Sequence, residues 1–185
     1  MEIAAHRVMA NVLQPMEAAA FAAFVEARRE RAVRVAYRLL GADQGAAEDV
    51  AQNAFLRAHR ALARFRGEST IDTWFFRILV REVQRQRRWR RVRELVGFDI
   101  ERAPEPAQER AVGDPGLRAR IVAALERLTP AQREVFVLVH LEEQSLAEAA
   151  AVLGKAIGTV KSHLHRALES LRRELADLAR EGREP

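Results

Sequence analysis

The sequence predicts an all-α fold: two small helical domains joined by a flexible linker, the second containing a helix-turn-helix. Three observations carry this. Alanine, leucine, arginine and glutamate dominate, and apolar residues recur at helical spacing with no strand-like alternation. Between about Val92 and Gly116 the helical pattern is broken by Pro104, Pro106, Gly113, Pro115 and Gly116 in an acidic stretch. The C-terminal half then restarts with two capping boxes and a glycine turn. In 185 residues this leaves two bodies, each with a modest core. The divisions fall at 1–16 (an N-terminal extension), 17–91 (the first domain), 92–116 (the linker) and 117–180 (the second domain).

The first helix is expected from about Glu17 to Leu40, ending before Gly41. A second spans 47–62, where Ala51, Phe55, Ala58 and Leu62 form one stripe and Asp49, Asn53, Arg57 and Arg60 lie on another face. A break follows at 64–70, with Gly67 at its centre. The third helix runs from about Ile71 to Arg91. On its wheel Arg77, Arg81 and Arg88 fall within about 40° of one another, with Arg85 and Trp74 at the margin. Ile71, Phe75, Ile78 and Leu79 make the neighbouring apolar face.

After the linker, Leu117 to Leu128 forms a helix. Thr129 is an N-cap with Pro130 at N1 and Gln132 at N3, opening a helix to about Leu141. Ser145 with Glu148 opens the next, which stops at Gly154. The last helix extends from about Ile157 to Arg180, with Val160, Leu164, Ala167, Leu168, Leu171 and Leu175 as its apolar stripe.

Charge narrows the chemistry. The net charge is +5, but residues 57–93 alone carry 12 basic and 3 acidic side chains, and residues 94–115 carry 2 and 6. Only Lys155 and Lys161 are lysines; the other cations are arginines, whose planar forks suit phosphates. Nucleic acid is therefore the partner to expect. Cysteine is absent, which excludes disulfides, thiolate metal sites and a cysteine nucleophile. No signal peptide and no membrane-spanning run is read. No phosphate-binding glycine loop is present, because Ala149 stands where its first glycine should be. The five histidines are scattered, and His163 and His165 diverge on a helix. The adjacent acids Glu48-Asp49 and Glu142-Glu143 are expected on exposed, solvated faces. No catalytic residue, cofactor or metal site is expected.

Two constellations remain. The helix–Gly154-Lys155-Ala156–helix segment has the form of a helix-turn-helix. Lys161, Ser162, His165 and Arg166 point away from the stripe of its second helix and suit base edges and phosphate. The third helix, with Trp74, Phe75, Phe76, Trp89 and its arginines, offers a cationic track with ring surfaces for unstacked bases. An ordinary solvated outer face would explain either feature alone.

These residues resemble the bacterial extracytoplasmic-function (ECF) sigma factors. The segment AEDVAQNAFLRAHRALARFRGESTIDTWFFRI (47–78) is similar to region 2 of that family. The segment LTPAQREVFVLVHLEEQSLAEAAAVLGKAIGTVKSHLHRALESLR (128–172) is similar to region 4. The resemblance implies a protein that binds core RNA polymerase (clamp helices and flap) and brings it to promoter DNA. It implies polymerase contacts at Asp49, Gln52, Asn53, Leu56 and Arg57. Recognition and melting of the −10 element would fall to Arg64, Phe65, Arg66, Gly67, Trp74, Arg77, Arg81, Arg85 and Arg88. The −35 element would be read by Lys161, Ser162, His165 and Arg166. It further implies an anti-sigma factor as inhibitor and a cytoplasmic location, with that inhibitor able to hold the chain at the membrane. The chain departs from the usual pattern at Arg81, Arg85, His163, Val139 and Ala149. The alternative left open is a stand-alone helix-turn-helix regulator that binds duplex DNA without polymerase; a purely structural helical adaptor is a third class.

Overall fold

A computed structural model describes residues 18–95 and 115–176, all of whose regular elements are helical. The expected extension 1–16 and residues 96–114 of the linker lie outside the described residues, as do 177–180 of the expected last helix, which within the described residues ends at Glu174 rather than Arg180.

The first body is three helices, α1 (Ala18–Leu40), α2 (Gln44–Ala61) and α3 (Ile71–Leu95). Helix α2 starts three residues earlier than its apolar pattern suggests. Asp43, in extended backbone, accepts from the Ala46 N–H at 2.8 Å and so caps it. A short 3-10 turn, Leu62–Arg64, carries α2 into the loop before α3. The core of this body is aromatic. Phe55 and Phe75 stack with ring centroids 4.5 Å apart, and Phe24 meets Phe75 edge-on at 5.4 Å. All three rings are buried, each contributing roughly 1.5–3 kcal/mol of burial energy. Arg28 of α1 pairs with Asp72 at the start of α3, and that hydrogen bond holds the Asp72 carboxyl below its usual range.

The second body comprises α4 (Pro115–Glu126), α5 (Pro130–Phe136), α6 (Leu146–Leu153) and α7 (Ile157–Glu174). Both expected capping boxes form, at Thr129/Gln132 and Ser145/Glu148. Hydrogen bonds from the Ser145 hydroxyl and N–H keep the Glu148 carboxyl low. Gly154 ends α6 in the left-handed region at φ +63, where a side chain would be strained. One feature departs from the expected helix through Leu141. Beyond Phe136 the chain widens into a π turn, Val137–Leu141, and Glu143 follows at φ +54. Arg133 crosses to α4 and donates to the Leu125 and Glu126 carbonyls at 2.8 and 2.6 Å, satisfying groups that the helix end leaves open.

The two bodies share an apolar core. Val135, Val137, Leu138, Ala149, Ala150, Val152 and Val160 belong to the same buried cluster as the residues of α1, α2 and α3, and α3 packs along α6. A smaller cluster of Ala124, Leu125, Leu128, Ala167 and Leu171 joins α4 to α7.

Candidate nucleic-acid interface

Helix α7 is amphipathic in the way its sequence predicts. Val160, Ala167 and Leu171 are buried against the second body, and Leu164 is half-buried. Lys161, Ser162, His165 and Arg166 are all exposed on the opposite side. Ser162 donates to the Gly158 carbonyl at 3.0 Å, and His165 lies 3.4 Å from Glu169. Lys161 and Arg166 have no acidic partner among the described residues. The Gly154 turn sets α6 beneath α7, so the start of α7 projects from the body with its polar side outward. That is the form needed to enter a major groove.

The first body carries two further surfaces. On α2, Asp49, Gln52, Asn53 and Leu56 are exposed together, and Leu56 is an apolar side chain half open to solvent. Arg57 lies beside them, but its Nε is 2.7 Å from Glu82 of α3. The loop after α2 holds Arg64 and Arg66 in solvent, Gly67 at φ +71 and Phe65 tilted against Trp74 at 5.2 Å. Trp74 therefore lines the edge of the core rather than standing free.

Along α3 the arginines divide. Arg81 and Arg88 are exposed and make no ion pair among the described residues. Arg85 is 3.4 Å from Glu82, which it shares with Arg57. Arg77 donates to the Ala151 carbonyl of α6 at 3.1 Å. Arg87 donates to Glu134 at 2.9 Å and also to the Leu39 carbonyl; burial lowers its basicity, offset in part by Glu134. Arg90 pairs with Asp43, tying the end of α3 to the cap of α2. Trp89 is 58% exposed, outside the core.

One expectation is overturned. Glu142 is not on a solvated face: it is only 8% exposed, and Arg31 and Arg38 of α1 reach it at 2.6 and 3.3 Å. The π turn and the left-handed Glu143 fold this acid back into the seam between the bodies. Its neighbour Glu143 is exposed, as expected. Glu134 is the second acid missed. Its spacing with Val137, Leu138 and Leu141 puts it on an apolar stripe, a signal that a buried partner was needed. Among the described residues no three acidic or histidine side chains form a metal-binding group, and no helix is long and apolar enough to cross a membrane.

Comparison with known proteins matches the two bodies to two separate regions of one family. Residues 24–93 match sigma-70 region 2, and residues 118–171 match sigma-70 region 4. The chain is 36% identical over 155 residues to an RNA polymerase sigma-E factor of Streptomyces coelicolor, covering 84% of this chain and 85% of that protein. It is 32% identical over 172 residues to the ECF RNA polymerase sigma factor SigW of Bacillus subtilis, covering 86% and 90%. Among solved structures, it resembles the sigma factor RpoE of Bartonella quintana, crystallised with the anti-sigma factor NepR. The TM-score is 0.68 and the identity 31%, over 84% of this chain and 96% of that one. CnrH in complex with the cytosolic domain of CnrY gives a TM-score of 0.67 and 29% identity over 92% and 97%.

Proposed function

The chain belongs to the ECF sigma factors of the sigma-70 family, and from that premise we propose which surfaces bind polymerase and which read the promoter. Core polymerase docks on the α2 face of Asp49, Gln52, Asn53, Leu56 and Arg57, through its clamp helices. The second body rests on the polymerase flap. The loop with Arg64, Phe65, Arg66 and Gly67, and the edge of α3 with Trp74, Arg77, Arg81, Arg85 and Arg88, take the −10 element as it opens. Helix α7 lies in the major groove of the −35 element and reads it through Lys161, Ser162, His165 and Arg166. The division into two domains follows these roles, with the expected boundaries at 91 and 117 moved to the helix ends at Leu95 and Pro115. The protein catalyses no reaction itself. It works in the cytoplasm, where polymerase and chromosome meet, and an anti-sigma factor of the kind bound to the Bartonella relative holds it inactive.

The observation that carries this reading is the presence of regions 2 and 4, in that order, in one chain. A regulator that only binds duplex DNA needs the helix-turn-helix and has no use for the α2 face or the loop before α3. The deciding experiment is co-purification with core polymerase followed by transcription in vitro and promoter mapping. The expected outcome is RNA from a defined start with both components, and no open complex with the protein alone. Tight duplex binding without polymerase association would replace this reading with that of a stand-alone regulator.

A further inference from the structure

Four aromatic rings of α3 are candidates for base contact in the sequence, and the structure withdraws three of them. Phe75 and Phe76 are buried, and Trp74 is half-buried with its ring against Phe65. Trp89 alone stands open, with no ring contact among the described residues. Its exposure has company. Of the seven large apolar side chains exposed among the described residues, Trp89, Val92 and Leu95 fall within seven consecutive positions of one helix. Leu56, Ile121, Leu141 and Ile157 are scattered. Single exposed apolar residues need no explanation, whereas a contiguous set rimmed by charge marks a contact surface.

The rim here is cationic. Arg85 and Arg93 lie one turn before and one turn after Trp89, each within about 40° of it on the helical wheel, and Val92 within about 60°. Arg93 makes no ion pair among the described residues, and Arg88 and Arg91 are likewise exposed and unpaired. Arg85 is 3.4 Å from Glu82, a carboxylate that already holds Arg57 at 2.7 Å, so its guanidinium is loosely kept. The acid of this stretch, Glu94, falls about 140° away around the helix. A partner for this surface must therefore offer planar apolar area together with negative charge. A second copy of the helix would set arginine against arginine. Bases on a phosphate chain combine both properties, and a base face is open to a ring only where it has left the duplex stack.

We propose that Trp89 is a base-stacking station for an unpaired strand, with Arg85 and Arg93 holding the phosphates on either side of the stacked base. Its place in initiation rests on the −10 assignment above. Trp74, at the loop end of α3, and Trp89 are fifteen residues apart, or about 22 Å at 1.5 Å per residue. That distance spans roughly six to seven nucleotides at 3.4 Å per step. The loop with Phe65 and Gly67 takes one end of the opened strand, and Trp89 takes the other. The length of α3 between the two rings thereby sets how many bases stand open.

The free chain already exposes Trp89, so binding of the full chain to a labelled short oligothymidylate strand tests the station directly. Trp89→Ala is expected to weaken that affinity about tenfold, while Trp89→Phe, which keeps a ring, stays within about threefold of the wild type. Affinity for the same sequence as a duplex should not change, nor should helical circular dichroism, because the ring lies outside the core. The second measurement adds core polymerase and a promoter fragment carrying a fluorescent adenine analogue, dim when stacked, at successive positions. Trp89→Ala should brighten a single position, roughly six to seven nucleotides from the base held at the loop. Equal strand affinity for the wild type and Trp89→Ala would overturn the station. Weaker association of Trp89→Ala with core polymerase, at unchanged strand affinity, would overturn it in favour of a protein contact. Self-association of the wild type that Trp89→Ala abolishes, again at unchanged strand affinity, would overturn it in favour of a contact between copies. A strand effect with no position brightened on the promoter would overturn the role at the edge of the opening. Failure of the wild type to initiate with core polymerase, while Trp89 still governs strand affinity, would count against the sigma-factor assignment and leave the station standing.

Discussion

Helices α3 and α7 are both cationic, yet they hold their charge in opposite ways. On α7, Lys161 and Arg166 face water with no acid among the described residues to engage them. On α3, Arg77, Arg85, Arg87 and Arg90 are already committed to carbonyls or carboxylates, while Arg81, Arg88, Arg91 and Arg93 match the condition of α7. Counting charge along the sequence makes α3 the stronger candidate for binding phosphate. Counting unpaired charge narrows the difference between the two helices. A guanidinium is only as useful to a ligand as its existing partner is easy to displace.

Substitution at an engaged and at an unengaged cation should break this comparison most sharply. Arg87→Ala leaves Glu134 buried with Gln84 as its remaining donor, and is expected to cost about 3 kcal/mol of stability, measured by denaturant unfolding. A loss within about 0.5 kcal/mol, the range of ordinary surface changes, would show that the pair is solvated in practice. Lys161→Ala or Arg166→Ala should leave unfolding unchanged yet remove roughly 1–3 kcal/mol of discrimination at the −35 element, read by competition binding to altered sites. Equal affinity for all sites in the wild type and both variants would remove α7 as the reader. Arg88→Ala should lower the slope of log affinity against log salt by about 1, whereas Arg77→Ala should change it less. Equal slopes for the two would erase the distinction between engaged and free arginines on α3.

The smallest effect belongs to Arg28 and Asp72, a pair that is part-exposed and screened by solvent. Asp72→Asn should cost under about 1 kcal/mol near neutral pH. The sign with pH follows from the lowered carboxyl. Its contribution is present above the unfolded-state value near 3.9 and fades as pH falls through the lower folded value. Wild type and variant should therefore converge in strong acid, and a gap that widened there would reverse the assignment of the pair.

Much of this was legible in the residues. Thr129, Ser145 and Gly154 announced their helix ends because capping is decided within four residues, and the α7 stripe was visible because burial there is periodic. The earlier start of α2 was also local, since Asp43 is a cap that the apolar pattern alone passes over. What could not be read was the seam. Glu142 meets partners 104 and 111 residues away, and nothing in a local pattern selects Arg31 and Arg38 from so many arginines. The π turn that delivers Glu142 to them likewise reflects a demand made by the other body. The polar faces of α2 and α7 followed from periodicity, while their assignment to particular partners came from family resemblance.

The separation of Arg31 from Glu142 also imposes an order in time. Chains leave the ribosome at about 5–20 residues per second and fold N-terminal domain first, so Glu142 follows Arg31 by roughly 5–20 s. The first body is complete only once Leu95 has emerged, so it stands without Glu142 for the following 47 residues, roughly 2–9 s. The second body therefore packs onto a first body that has already had time to form, and the buried ion pairs of the seam are among the last contacts made.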